Sequence, residues 1–348
     1  MKIKEINRLT EFCAAVLVRA GLPGEHAGLV ARFLVEADMR GHATHGVSRL
    51  GSYIERVEKG VMNPAPDVKV IREAPAVALL DGDNGFGQVV VVKAMDLALK
   101  KAKNVGTGII AVKNSNHAGE LGLISLQAAE NHMIGFTLSN TSPVMAPWGG
   151  REPVLGNNPL AIAIPRQGYN PIIIDLAFSV TARGNIILAD KEGRPIPPGW
   201  AVNPQGEPTT DAREALLGSV LPMACHKGFA LALMVEILTS VLAGGPVGPE
   251  VGSLVPADLS KPLGISHLVG AIDIKHFLPT ELFWHHLENL LKYIKNSKPA
   301  KDSRGIYIPG ELSARRREKA LHEGIELEAA TLKELYTLGK KYSIQPFF

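Results

Sequence analysis

Nine residues, Gly41-His42-Ala43-Thr44-His45-Gly46-Val47-Ser48-Arg49, place two imidazoles, two hydroxyls and a guanidinium beside two glycines where a helix ends. An imidazole exchanges a proton near neutral pH, with an unperturbed pKa of about 6.5. A guanidinium offers a planar fork that matches a carboxylate with two hydrogen bonds. Reduction of a 2-keto acid needs both: a cation for the acid and a proton donor for the carbonyl. The plain alternatives are a solvated loop between two helices, or a metal pair made of His42 and His45.

Further polar clusters sit at predicted strand ends, a common place for ligand contacts in α/β proteins. Lys113-Asn114-Ser115-Asn116-His117-Ala118-Gly119 follows a strand, as does Asp175-Leu176-Ala177-Phe178-Ser179. A loop rich in Gly, Pro and Asn runs from Asn140 through Trp148 to Pro159, and loops of that length in compact domains tend to be functional. His226-Lys227-Gly228 opens an apolar helix whose first N–H groups, with Lys227, could hold an anion such as a pyrophosphate. No GxGxxG bridges a strand and a helix, and there is no GxxxxGK[ST] loop or HExxH helix, so a dinucleotide would have to be bound outside a Rossmann unit.

The elements that must position these groups follow from periodicity. Leu9, Phe12, Cys13, Val16, Leu17 and Ala20 form one helical stripe, stopped by Gly21 and Pro23, and a second helix covers 24–40 with Ala27, Ala31, Leu34 and Val35 inward. From about residue 70 short β-prone runs appear at 77–80, 107–112, 134–138, 160–164, 171–174 and 268–274. Helical stretches at 90–104, 122–131, 227–243 and 280–296 lie between several of them. The 229–242 run is too short to span a membrane and reads as a buried helix. Ser313 is a candidate N-cap for a helix over 314–322, and a last helix covers 329–341. The fold class expected is α/β: a mixed-sheet domain over 71–311, and a helical domain formed by both chain termini, 1–70 and 312–348.

Composition narrows the class of function. The 348 residues are 46% hydrophobic and 20% charged, an ordinary globular balance. Lys plus Arg number 37 against 34 Asp plus Glu. The densest basic run, Arg315-Arg316-Arg317-Glu318-Lys319, reads as a solvated helix face, so neither a nucleic-acid nor a membrane partner is expected. Cys13 and Cys225 make neither a CxxC pair nor a zinc pattern and fit a reducing compartment; with no signal-peptide run, the expected location is cytoplasmic.

The motifs RGHATHGVSR, NSNHAGELG, SNTSPVMAPWGGREPVLGNNPLAIAIP, DLAFSVTARGNI, IPPGWAVNPQGEPTTD, HKGFALALMVEIL and IPGE follow one another along the chain. In that order the sequence resembles the malate/L-lactate dehydrogenase family, the non-Rossmann type that includes sulfolactate, ureidoglycolate and diketogulonate oxidoreductases and a cyclic ketimine reductase. The resemblance covers roughly residues 5–345. It implies a non-Rossmann NAD(P)-binding domain, NAD as cofactor with NADP as the alternative, and a homodimer with the active site near the subunit interface. It makes His45 the acid/base histidine, with His117 beside it as a second candidate, and Arg49 the grip on the substrate carboxylate. Thr44 and Asp175 join the candidate catalytic residues, and Tyr53 and Asn116 the substrate contacts. Cofactor contacts fall on His45, Asn140, Pro159, Asp175, Ala177, Ser179, His226, Lys227, Pro309, Gly310 and Glu311, with no metal. The sequence departs from the family at Thr44 (usually Ser), Phe178 (a common Thr), Asn185 (a common Lys) and Cys225 (a Gly). The expected reaction is hydride transfer between a nicotinamide and a small 2-hydroxy/2-keto acid, malate first, lactate or sulfolactate close behind. The alternatives are a C=N reductase on a cyclic imino acid, and a non-catalytic or zinc protein built on His42, His45 and His117.

Overall fold

The computed structural model describes residues 2–254 and 257–348. Helices α1 (Ile6–Arg19) and α2 (Gly24–Met39) form an antiparallel pair whose inner stripes are buried. Gly21, at φ +108°, makes the turn between them. Two short 3₁₀ turns, Ala43–His45 and Val47–Arg49, then lead into α3 (Leu50–Glu58).

Seven strands build one mixed sheet: β1 (Lys69–Glu73), β2 (Val77–Asp81), β3 (Thr107–Ser115), β4 (Met133–Ser139), β5 (Leu160–Ile164), β6 (Ile172–Leu176) and β7 (Ile265–Asp273). Their spatial order is β1-β2-β3-β7-β4-β5-β6. Only β2 and β3 run parallel; every other neighbouring pair is antiparallel. The sheet is therefore not doubly wound, and the absent glycine fingerprint has a structural counterpart. Strand β7 comes last in sequence yet lies in the middle, and it is buried almost throughout, as a strand covered on both faces must be.

Helix α4 (Gly87–Val105) crosses from β2 to β3 and α5 (Leu121–Glu130) from β3 to β4. Both pack on one face through Val91, Met95, Ala98 and Ile124, against Ile110, Val112 and Val269. Beyond β6 come α6 (Arg183–Lys191), α7 (Ala212–Leu217) and a three-stranded sheet of 201–202, 208–209 and 219–220 around their own small core. Helix α8 (His226–Glu236), continued by a π turn at Ile237–Val241, covers the opposite face through Ala232 and Val235. The long helical stretch expected to be buried is not: Leu233, Ile237, Val241 and Leu242 are 39%, 47%, 57% and 60% exposed.

After α9 (Thr280–Lys295) the chain returns through α10 (Glu311–Glu323) and α11 (Ala329–Lys341). Ala320, Ile325, Leu335 and Leu338 enter the same apolar core as Leu9, Phe12, Val16 and Leu34, so both ends of the chain share one helical cluster. Ser313 is not the cap expected of it: α10 begins two residues earlier, after Gly310 at φ +87°, and the Ser313 hydroxyl donates to the Gly310 carbonyl inside the first turn. Because β2, β3, β4 and β6 all run the same way, Asp81, Ser115, Ser139 and Leu176 end at one edge of the sheet. The loops that carry the polar clusters leave from that edge.

Candidate active site

Between the two 3₁₀ turns sits Gly46, and Asp38 of α2 explains why. The Asp38 carboxylate accepts the Val47 N–H at 2.8 Å, and a Cβ on residue 46 would lie 2.0 Å from Asp38 Oδ1. Burial pushes the Asp38 carboxyl up to about 7, although the Val47 N–H works the other way. The anchored turns hold His45 and Arg49 half-buried on one side. Arg49 Nε donates to the Thr44 carbonyl at 2.6 Å, and among the described residues no carboxylate forms an ion pair with its guanidinium. The Thr44 hydroxyl lies 3.0 Å from His45 Nδ1.

His117 arrives from the other side, just past the end of β3. Its ring stacks on His45 with centroids 5.4 Å apart and 29° between planes. Burial, then Arg49 and His42, pushes the His45 imidazolium down to about 4. Burial, then His45, Arg49 and His267, holds His117 well below the ordinary histidine value. Both rings are therefore neutral in the free protein at neutral pH.

A third imidazole belongs to the same cluster. His42 Nδ1 lies 3.0 Å from the buried Glu120 carboxylate, whose hydrogen bond raises its pKa above the ordinary value. Asp175, at the end of β6, faces this pair and accepts the Gly122 N–H at 2.7 Å. Burial pushes Asp175 up to about 6. From sequence His42 is one of the two imidazoles of the opening cluster and a candidate metal ligand, while Glu120 goes unmarked; its sole signal is an acid inside the NSNHAGELG loop. Among the described residues no group of three His, Cys, Asp or Glu side chains is placed to hold a metal, so the zinc alternative finds no ligand set.

Several expected contacts are placed elsewhere. Tyr53 is fully buried and reaches no open cleft; its hydroxyl lies 2.6 Å from His117 Nδ1 and accepts from Gln88 Nε2 at 3.1 Å. Asn116 is likewise buried and spends its amide N–H groups on the carbonyls of Asn84 and Gly85, fixing the turn after β2. Both side chains are taken up by partners inside the protein and present no surface of their own. Asn140 donates to Ser240 and accepts from the Ser266 N–H, with no exposed surface, which removes its side chain from any cofactor surface. The Pro159 carbonyl accepts from Ser139 N–H, and the buried Ser179 hydroxyl donates to the Thr181 carbonyl. Both therefore shape loops at the sheet edge.

The remaining candidates line a track along β6. Asp175, Ala177 and Ser179 are followed by backbone pairing of Phe178 and Val180 with 221–223, which brings His226 and Lys227 to the same side. Lys227 and His226 are exposed at the start of α8, and Lys227 makes no ion pair among the described residues. The cap of that helix, Cys225, adopts φ +60° and ψ −129°, a backbone region that favours glycine and costs on the order of 1–3 kcal/mol for other residues. On the other side of β6 the Pro309 carbonyl accepts from Ile173 N–H, and a Cβ on Gly310 would meet that same nitrogen at 2.9 Å. The Glu311 carboxylate is taken by Lys295, Arg315 and the Ile308 N–H, so it braces this turn.

Two stacked imidazoles beside an unpaired guanidinium are equipment for moving a proton on a molecule that carries a carboxylate. The comparisons narrow this class. The sequence matches the malate/L-lactate dehydrogenase family over residues 5–336. It is 41% identical over 347 residues to the malate dehydrogenase of Pyrococcus abyssi, covering 97% of this chain and 94% of that one. With the L-sulfolactate dehydrogenase of Methanocaldococcus jannaschii it shares 43% identity over 327 residues, 94% of this chain and 92% of the other. The solved sulfolactate dehydrogenase from the same organism superposes with a TM-score of 0.92 at 40% identity, over 99% and 98% of the two chains. The chain belongs to the malate/L-lactate dehydrogenase family and is a 2-hydroxy-acid oxidoreductase. Dehydrogenases of this family use nicotinamide cofactors, and names of relatives at 35% identity include both NAD(+) and NADP(+).

Proposed function

We propose that this enzyme interconverts malate and oxaloacetate with a nicotinamide dinucleotide, NAD first and NADP as its rival, using Arg49 and His45. The observation that carries the reading is the guanidinium of Arg49, left without an ion-pair partner among the described residues and set beside the two stacked imidazoles. Malate leads because two relatives, from Pyrococcus abyssi and Pyrococcus horikoshii, bear that name at 41% and 39% identity over 97% of this chain; the sulfolactate relative, 43% identical over 94%, puts sulfolactate next.

The residues present fit the cofactor. Lys227 on a helix N-terminus suits the diphosphate, and the Pro309-Gly310 turn, pressed on β6 where a side chain at 310 would clash, leaves bare backbone beside the track. Asp175, at the His42 end of that track, suits the nicotinamide side. When bound, the nicotinamide supplies or accepts the hydride at substrate C2.

The chain's own residues do the rest. Arg49 takes the C1 carboxylate in its fork and orients C2 toward the histidines. A carboxylate there offsets the Arg49 charge, one of the causes that hold His45 down, so the proton affinity of His45 rises as substrate binds. Neutral His45 takes the hydroxyl proton in oxidation, and imidazolium returns it in reduction. Thr44, against Nδ1, orients that ring.

The apolar face of α8 and its π turn supports a homodimer that covers it. Cys13 and Cys225 are both unpaired, which supports a cytoplasmic location; no helix among the described residues is long and apolar enough to cross a membrane. The test is an initial-rate panel of oxaloacetate, sulfopyruvate, pyruvate and a cyclic ketimine, each with NADH and NADPH. Oxaloacetate with NADH is expected to give the highest kcat/KM. A preference for the ketimine by ten-fold or more would replace this reading with C=N reduction.

A further inference from the structure

We propose that Gln88 is a positioning residue: acting through Tyr53, it fixes the His117 ring with its proton on Nε2. His117 then meets the C2 oxygen as a hydrogen-bond donor, and proton transfer is left to His45. The inference rests on the proposed placement of the C2 oxygen between the two rings.

Gln88, the second residue of α4, donates from Nε2 to the Tyr53 oxygen at 3.1 Å, and that oxygen lies 2.6 Å from His117 Nδ1. Gln88 and Tyr53 are completely buried, so solvent cannot stand in for either partner. The chain can be polarised in two ways. In one, the amide N–H donates to the phenol oxygen, the phenol O–H donates to Nδ1, and the imidazole proton stays on Nε2. In the other, the Gln88 carbonyl oxygen accepts the phenol O–H, the phenol oxygen accepts from Nδ1–H, and Nε2 is a bare acceptor. The first makes His117 a donor at the cleft and the second makes it a base.

The backbone N–H of Gly119 selects the first. It points at His117 Nδ1 from 3.4 Å, and a backbone N–H can only donate, so its approach favours the tautomer with Nδ1 unprotonated. Tyr53 has a single hydroxyl hydrogen and gives it to Nδ1, which leaves its oxygen open to the Gln88 amide. Gly119 sits at φ +75°, and a Cβ there would lie 3.3 Å from Gln88 Nε2. Glycine thus lets one loop both aim its N–H at the ring and pack on the amide that starts the relay. Burial keeps His117 from ionising, so the ring stays a neutral donor.

The division of labour balances. In oxidation the hydroxyl proton passes to His45 Nε2, the C2–H pair leaves as hydride to the nicotinamide, and the C–O bond becomes C=O while His117 Nε2–H holds its oxygen. Reduction runs the same steps in reverse. A fixed neutral donor aimed at the oxygen stabilises its developing charge without a reorganisation cost.

The test is a long-range ¹H–¹⁵N correlation spectrum of full-length protein labelled at the histidine ring nitrogens, read with kinetics. In the wild type His117 is expected to show an unprotonated Nδ1 and a protonated Nε2. Gln88→Glu puts a carboxylate where the amide donated, so the Tyr53 hydroxyl turns to it and the proton is expected to move to Nδ1. With that switch, kcat for keto-acid reduction is expected to fall on the order of ten-fold or more, while KM stays within about three-fold because Arg49 is untouched. Tyr53→Phe, which needs no buried charge, is expected to give mixed tautomers and a similar fall. A wild-type His117 protonated on Nδ1, or wild-type kcat in both variants, overturns the proposal with the dehydrogenase reading intact. Failure of every 2-keto acid to turn over with either cofactor would instead remove the reading beneath it, whatever the tautomer.

Discussion

Replacing Arg49 by alanine is the most direct challenge to the carboxylate site. The guanidinium uses Nε on the Thr44 carbonyl and has no ion-pair partner of its own. Its terminal nitrogens are therefore the donors on offer to a ligand. Leaving a substrate carboxylate unpaired in a desolvated cleft costs about 2–5 kcal/mol. At about 1.4 kcal/mol per factor of ten, that is a loss of roughly 30- to several-thousand-fold in kcat/KM. Removing Arg49 breaks no ion pair among the described residues, although it withdraws a positive charge from the half-buried Glu334 carboxyl, so the fold loses one hydrogen bond and little stability. A second signature accompanies the first. Arg49 is among the causes that depress His45, so in Arg49→Ala the acid limb of kcat/KM for malate oxidation is expected to shift to higher pH. Arg49→Lys keeps a charge but not the fork, and is expected to fall between wild type and alanine. Initial rates with oxaloacetate, pyruvate and sulfopyruvate, beside thermal unfolding of each variant, measure all of this. Near-normal efficiency of Arg49→Ala with every acid tried would refute the carboxylate role.

The depressed pKa of His45 predicts the free-enzyme pH profile. Its base form, needed for oxidation, dominates above about pH 4, so kcat/KM for malate should be flat from about pH 5 to 7 and decline only toward pH 4; a midpoint near 6.5 would contradict this assignment. Asp38 predicts a stability effect. Its folded pKa of about 7 lies above the unfolded value, so the native state holds the proton longer and stability is lost as pH rises from about 4 through 7. Asp38→Asn is therefore expected to unfold at higher temperature than wild type at pH 8, by at most about 4 kcal/mol of stability, and to show no gain at pH 4. An equal gain at both values would exclude the linkage. For the α8 face, Leu233→Glu with Leu242→Glu is expected to give a monomer by sedimentation; an unchanged dimer would place the interface elsewhere.

The sequence disclosed the helical stripes and the strand runs because their burial is one-sided or complete, and both leave a period in the residue pattern. Leu9, Phe12, Val16 and Leu17 read as a stripe and are buried as one. Strand β1 carried no such mark: all its residues are exposed, so no apolar alternation distinguishes it from a loop. Helices α6 and α7 pack on a small separate core and escaped for a similar reason. The apolar run of α8 reads as interior because composition cannot tell an exposed apolar surface from one that faces a core. Of the site, the types were legible and the directions were not. Tyr53 lies four residues past Arg49, which suggested a shared face toward substrate, yet the α3 helix turns it inward beneath His117. Gln88 and Glu120 had no signal beyond polarity, because their meaning lies in partners 35 and 78 residues away, Tyr53 and His42.

The electrostatics of the cleft connect binding to chemistry. Three imidazoles and the Arg49 guanidinium converge there; among the described residues His42 pairs with Glu120, and the Glu334 carboxyl is near enough to Arg49 to feel its charge. Burial and neighbouring cations, Arg49 among them, keep His45 and His117 neutral in the free protein. On the proposed function, an arriving dianion such as malate offsets the charge of Arg49, which both His45 and His117 sense, and His45 is free to respond. His117 cannot respond in the same way. Its Nδ1 already accepts from Tyr53 and Gly119, so protonation there would turn the Gly119 N–H against a donor and reverse the Tyr53 hydroxyl, in a relay whose members Gln88 and Tyr53 are closed to solvent. On the proposed mechanism two stacked histidines that look equivalent in sequence are thereby made unequal: one titrates with substrate, and the other is locked.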